Sequence, residues 1–211
     1  MAPLAENTSR APNFLAGGIF ASRRDVARFA LRTLGWGIVS FALWFAASRW
    51  VSLAAAWPAA WMIGAAAPVE NMGASWDAGH VNVSFEPDAS LRYSRGLPRG
   101  TSLELPLDVR KQTASLPFFL ALVAAGFARR QLPRALAGFV LLFFLAAGAI
   151  ACEAGVGLAL AGPGGRPLFI PSIGMGTALA FGYQFGTLIV PSLAPVALWL
   201  WVRLGSARLE G

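Results

Sequence analysis

Long uncharged apolar runs alternate with short charged segments along most of this chain. The runs cover residues 33–48, 50–69, 112–128, 135–152 and 167–202. Because a helix needs about 20 mostly apolar residues to cross a bilayer, this pattern predicts a mainly α-helical membrane protein with about four transmembrane helices. We place these helices at residues 31–48, 112–128, 135–152 and 180–202.

The segments between these helices divide into two sides. Residues 1–30, 129–134 and 203–211 are predicted to be a cytoplasmic tail, a loop and a second tail, and residues 153–179 an outer loop with a juxtamembrane segment. Residues 50–69 contain a proline and are predicted to lie in the outer interface. Their tryptophans suit that depth, because indole rings prefer the headgroup level.

The polar stretch at residues 70–111 carries the signature of a small sheet. Residues 80–85 and 102–109 alternate between apolar and polar side chains, and period two is typical of half-buried strands. With residues 91–94 as the strand between them, we predict an extracytoplasmic three-stranded β-meander between the first and second spans. So few strands need support, which we expect from residues 50–69 or from a partner. Pro106 should place the last strand at an edge.

Arginine placement predicts the orientation. The group Arg129, Arg130 and Arg134 lies in one short loop, where positive charge favours the cytoplasm most strongly. We therefore predict a multi-pass protein of the bacterial inner membrane with both termini cytoplasmic. A five-span alternative makes residues 50–69 a second span and exports that arginine group.

Composition excludes several other classes of protein. The chain is 56% hydrophobic and 13% charged, whereas soluble domains contain about 25% charged residues. A single cysteine permits no internal disulfide. The net charge of +7 is explained by the positive-inside rule, so the predicted surroundings are the lipid bilayer and not nucleic acid.

Catalytic candidates are few. Cys152 is the only thiol and His80 the only histidine, so a thiol enzyme assisted by Arg49 or Arg166 is one hypothesis. Glu153, next to the cysteine, would raise the pKa of the thiol, which disfavours it as a nucleophile. We predict no catalytic residue, with Cys152 as the weak candidate, and no metal site or cofactor.

Two other groups of residues are candidates for binding or packing. Arg49 and Glu153 lie near the predicted outer ends of spans, where they could form a polar site or anchor the chain at the interface. Gly182 and Gly186 form a G-x-x-x-G pattern, which permits close helix approach. Gln184 between them could hydrogen-bond to a partner helix.

The order of these segments, with residues 181–191 (FGYQFGTLIVP) and 194–201 (APVALWLW) in the last span, resembles the exosortase H-associated membrane proteins of Gram-negative bacteria. The resemblance implies an accessory role beside an exosortase-type membrane transpeptidase in protein sorting. It transfers no catalytic residue. Two alternatives stay open, namely a membrane thiol enzyme using Cys152 and a small transporter subunit, for which Pro191 and Pro195 are the only indication.

Overall fold

The computed structural model describes residues 23–67, 69–77, 80–160 and 170–207. Most of these residues are helical, and the remainder include one small antiparallel sheet. Parts of the predicted tails and of the predicted outer loop lie outside the described residues, including Arg166.

The first helix, α1, runs from Arg23 to Ala66 without interruption. At 1.5 Å per residue its 44 residues extend about 66 Å, roughly twice the thickness of a bilayer core. The predicted first span and the predicted interfacial segment are therefore one helix. Burial of Ala55, Ala56 and Ala59 around Pro58 offsets the cost of a proline inside a helix. The five-span alternative needs a turn near Arg49, and the helix has none there.

Six further α-helices follow α1 in the described part of the chain, namely α2 (Ala89–Arg95), α3 (Arg110–Thr113), α4 (Ser115–Ala125), α5 (Leu132–Leu160), α6 (Ile173–Gln184) and α7 (Val190–Ala207). Helix α2 packs on the strand β2 (His80–Pro87), and the others pack with α1 as a bundle. A π-helical turn, Phe185–Ile189, joins α6 to α7. Among the described residues, three helical stretches are long and apolar enough to cross a membrane, namely Arg24–Ala66, Arg129–Leu160 and Ile173–Gly205.

Two helices extend beyond the predicted spans at one end of the bundle. Helix α5 continues past Cys152 to Leu160, and α6 begins at Ile173, inside the segment predicted to be a loop with a juxtamembrane stretch. The predicted span at residues 112–128 corresponds to α3 and α4, and it is not among the three stretches named above because each of the two helices is too short.

The bundle has two distinct ends. At one end, the carbonyl of Gly126 after α4 accepts a hydrogen bond from Arg203 of α7 at 3.0 Å. We call this the arginine end. At the other end, a Cβ placed on Gly157 of α5 would lie 3.2 Å from the side chain of Leu105 in the sheet. We call this the sheet end. Helices α4, α5 and the α6–α7 pair therefore connect the same two ends as α1.

The sheet contains three antiparallel strands in the order β1 (Val69–Asp77), β2 (His80–Pro87) and β3 (Leu103–Leu107). Val81, Val83 and Phe85 pair with Leu107, Leu105 and Leu103. The three β2 residues are buried, so the apolar side chains of the alternating segment 80–85 form the inward face of the sheet. Strand β3 lies at an edge of the sheet, as Pro106 predicts.

One predicted strand is wrong. Residues 91–94 belong to helix α2, because Asp88 accepts a hydrogen bond from the Leu91 N–H at 2.7 Å and caps the helix. Gly96, with φ +64°, ends it. The capping N–H of Leu91 and the Ser90 hydroxyl also hold the pKa of the Asp88 carboxyl below its ordinary value. The third strand is β1 instead, whose pairing shifts between Glu70 and Gly73.

The sheet rests on the second half of α1. Buried α1 side chains from Ala55 to Ile63 pack against Val81, Val83 and Phe85, and α5 adds residues to the same core. The shared core contains Ala55, Ala56, Ala59, Ala60, Ile63, Val81, Val83, Phe85, Leu91, Leu107, Val109, Ile150, Ala154 and Leu158. The expected support for the sheet is therefore provided by residues 55–63 of α1, together with α5.

Candidate functional site

The connection between the sheet and the bundle is formed by residues 108–115, which lead from β3 into α3 and α4. Gln112, Thr113 and Ser115 are buried although all three are polar. The Thr113 hydroxyl donates to the Val109 carbonyl at 3.0 Å, and the Ser115 hydroxyl donates to the Gln112 carbonyl at 2.7 Å. These bonds satisfy buried polar groups locally and fix the path of the chain.

A side-chain hydrogen bond ties this connection to α5. The Gln112 amide nitrogen donates to the carboxylate of Glu153, and Gln112 is only 1% exposed. A hydrogen bond to a carboxylate is stronger than one between neutral groups. Its partners are distant in sequence, so the bond links α3 to α5 beneath the sheet. Beside it, Lys111 forms an exposed ion pair with Asp108 at 3.3 Å.

Arg110 provides a second link. Its guanidinium carbon lies 5.8 Å from the ring centroid of Phe45 in α1 and 5.3 Å from that of Trp76 in β1. A cation held over an aromatic face contributes about 0.5–2 kcal/mol. Because Phe45 belongs to α1 and Trp76 to β1, Arg110 joins both elements to the connection at residues 108–115. We refer to Arg110, Gln112 and Glu153 with these two rings as the junction.

Arg49 and Glu153, the two predicted interfacial polar residues, are not joined to each other in the described part of the chain. Arg49 is exposed, with its guanidinium carbon 5.5 Å from the Trp50 ring centroid, and no ion pair joins it to Glu153. Glu153 lies within α5 and is bonded to Gln112 instead. Gln112 and Arg110 are not predicted as site residues from the sequence. The available signal was a polar residue at the start of an apolar run, directly after a strand.

The two glycines of the G-x-x-x-G pattern pack within the chain. A Cβ on Gly182 would collide with the sulfur of Cys152, and one on Gly186 would lie 2.5 Å from the Cβ of Ala149. Gly155 of α5 meets Leu179 in the same way. These contacts form one antiparallel seam between α5 and the α6–α7 helix. We refer to it as the glycine seam.

Gln184 lies away from the glycine seam. Its side chain is exposed, and it forms no side-chain hydrogen bond with the described residues. The structure therefore separates the three residues predicted together, because residues two apart on a helix point in different directions. Gln184 remains a candidate for contact with a partner helix.

The thiol candidate is part of the glycine seam. Cys152 is half-buried and faces Gly182, whereas His80 is exposed at the start of β2 opposite Asp77. Within the described residues no hydrogen bond joins the thiol to a histidine or an arginine. Those residues also contain no cluster of three His, Cys, Asp or Glu side chains that could hold a metal. The junction and the seam are arranged for packing and positioning.

Comparison with known proteins identifies the family. The family described as exosortase H-associated membrane protein matches residues 23–204. The chain belongs to this family. No curated protein and no solved structure matches the chain significantly.

Membership of the exosortase H-associated family confirms the resemblance seen in the sequence. The matched residues extend from the first turn of α1 into α7 and include the sheet and the junction. The family name indicates association with exosortase H, and the apolar helices agree with a membrane protein.

For this exosortase H-associated protein, the junction makes a prediction about stability. Glu153→Leu should destabilise the fold by about 1–3 kcal/mol, because it leaves the buried Gln112 amide without its acceptor. Gln112→Leu combined with Glu153→Leu should recover most of the loss, since both polar groups are then removed. The wild type, the two single variants and the double variant form a double-mutant cycle. Their unfolding in mild detergent measures the coupling energy between positions 112 and 153. Additive losses would contradict the hydrogen bond.

Proposed function

We propose that this chain is a non-catalytic accessory subunit of an exosortase-type sorting and processing system. In this role it holds the enzyme or its substrate at the outer face of the inner membrane. The observation that carries the proposal is the single long helix α1, which belongs to the bundle in its first half and supports the sheet with its second half.

The length of α1 supports a sheet held outside the hydrocarbon core. Residues 33–48 are uncharged and extend about 24 Å, close to the ~30 Å that a span must cover. The sheet packs on residues 55–63, beyond this stretch. Trp50 is exposed and, just past this stretch, would lie at the depth of the headgroups, where indole rings are favoured.

The junction makes the support rigid in our proposal. A sheet joined by one flexible linker would move independently of the bundle. Here it packs on α1 and contacts α5, while Arg110 and Gln112 connect the chain after β3 to both helices. A partner that contacts the sheet would therefore be held in a fixed orientation above the membrane.

The outward surface of the sheet is available for such a contact. Ser75, Asp77 and Glu104 are exposed, and Tyr93 on the neighbouring α2 is 93% exposed. An exposed polar surface that carries an aromatic side chain is typical of a protein–protein interface. It does not enclose a substrate as a reaction site would.

The alternatives receive less support. The transporter hypothesis relied on interruption of the last span by Pro191 and Pro195, whereas α7 is helical through both. The thiol-enzyme hypothesis relied on His80 as a base near Cys152. In the structure the thiol faces Gly182, and within the described residues no hydrogen bond joins it to His80, which lies at the start of β2.

The proposal requires an extracytoplasmic sheet, and thiol labelling tests this. In a Cys152→Ala background, Tyr93→Cys should react with a membrane-impermeant maleimide applied to the periplasmic side. Arg129→Cys, exposed at the arginine end, should react only after the inner membrane is permeabilised. The reverse pattern would place the sheet in the cytoplasm and contradict the proposed role.

A further inference from the structure

A basic cleft lies at the arginine end of the bundle. It has a volume of about 590 Å³ and lies between the first turns of α1 and the end of α4. Three arginines line it, namely Arg28, Arg32 and Arg203, together with the carboxylate of Asp25. The cleft therefore carries a net positive charge.

The arginines are arranged to bind an anion. Arg28 and Arg32 are four residues apart on α1 and therefore lie on the same face, where like charges destabilise a helix by themselves. Arg203 is oriented by its hydrogen bond to the Gly126 carbonyl at 3.0 Å, and its guanidinium carbon lies 6.0 Å from the Trp199 ring centroid. A phosphate bound between these groups would relieve the repulsion and accept charge-assisted hydrogen bonds.

An apolar groove of about 570 Å³ continues from this cleft toward the sheet end. Trp36, Ala124 and Phe127 line both the cleft and the groove, so the two are contiguous. The groove runs from Phe127, two residues past the end of α4, back along the helix to Phe119, a distance of roughly 12 Å at the helical rise per residue. This is close to half the thickness of a bilayer core, ~15 Å.

We propose that the cleft and groove form a binding site for one anionic glycerophospholipid. The phosphate lies among Arg28, Arg32 and Arg203, and one acyl chain follows the groove past Trp36 and Phe127. A free phosphate ion would use the basic cleft but leave the apolar groove without an occupant. The charge at one end and the apolar length beyond it both match a lipid of the leaflet at the arginine end.

Native mass spectrometry of the purified chain tests this proposal, with phosphatidylglycerol or phosphatidylcholine added in the same detergent. We expect the wild-type chain to retain phosphatidylglycerol in preference to phosphatidylcholine. The Arg28→Gln/Arg32→Gln variant should lose at least about tenfold in phosphatidylglycerol affinity, because two charge-assisted contacts are removed.

The control variant is Arg24→Gln/Arg129→Gln. Both of these arginines are exposed and neither lines the cleft, so the net charge falls by the same amount and retention should stay close to wild type. Equal losses in the two variants would show only general attraction of charge, and equal retention of the two lipids would show no preference for an anionic headgroup. Either result would overturn the proposal.

Two further measurements test whether the whole lipid or only its headgroup is bound, and whether a loss of affinity reflects a folding defect. Soluble glycerophosphate should compete poorly with phosphatidylglycerol, whereas competition at comparable concentrations would mean that the groove contributes nothing and would overturn the lipid assignment. The single variant Arg32→Gln, checked for unchanged thermal unfolding, should show an intermediate loss of affinity. Unchanged affinity in this variant would also overturn the proposal.

Discussion

Gly186→Leu should destabilise the bundle by more than about 3 kcal/mol, above the usual range for an overpacked site. A Cβ at this position would lie 2.5 Å from the Cβ and 3.0 Å from the Cα of Ala149, and backbone atoms of a packed helix cannot move aside cheaply. Thermal unfolding in mild detergent measures the loss. Gly148→Leu is the matched control, since a Cβ there meets no atom within 4 Å.

The neighbouring contact in the glycine seam provides an internal check. Gly182→Ala should be destabilising because the new Cβ collides with the sulfur of Cys152. Combining it with Cys152→Ala should cost less than the two single changes added together, because the sulfur is removed. Independent, additive losses would show that these two positions do not touch.

Val83→Asp should unfold the sheet, with a loss of at least about 3 kcal/mol, because it places an unpaired charge in an apolar core. Val83 is 1% exposed and pairs with Leu105. Glu104→Lys, one residue along the partner strand on the exposed face, should change stability by no more than about 0.5 kcal/mol. Protease resistance of the sheet in native membranes distinguishes the two variants. Similar sensitivity of both would contradict the register.

Much of the architecture follows from periodicity. The apolar runs locate the helices, and alternation identifies β2 and β3 with the correct inward faces, because burial on one side imposes period two. These patterns are local, so they can be recognised without knowledge of what the segments contact.

The errors have a different physical origin. The sequence pattern predicts a strand at residues 91–94, but these residues form part of a helix. Asp88 caps this helix at the Leu91 N–H, and Gly96 ends it with a positive φ. The continuity of α1 through Pro58 depends on packing against the sheet, which is a tertiary effect. Local sequence signals cannot weigh such an effect against the cost of a proline.

The candidate site was less predictable than the fold. The G-x-x-x-G pattern correctly indicates close packing, but the sequence does not reveal that the neighbour is α5 of the same chain. The link between Gln112 and Glu153 joins residues far apart in sequence. Without the three-dimensional arrangement, nothing relates one to the other.

Site-specific photo-crosslinking in living cells tests the proposed accessory role most directly. A photoreactive amino acid replaces Glu104 on the exposed face of the sheet or, as a matched control, Arg129 at the opposite end of the bundle. Exosortase H is expressed in the same cells with an affinity tag. We predict a crosslink to exosortase H from position 104 and none from position 129. Capture from position 129 alone, or from neither position with both proteins in the membrane, would contradict the account.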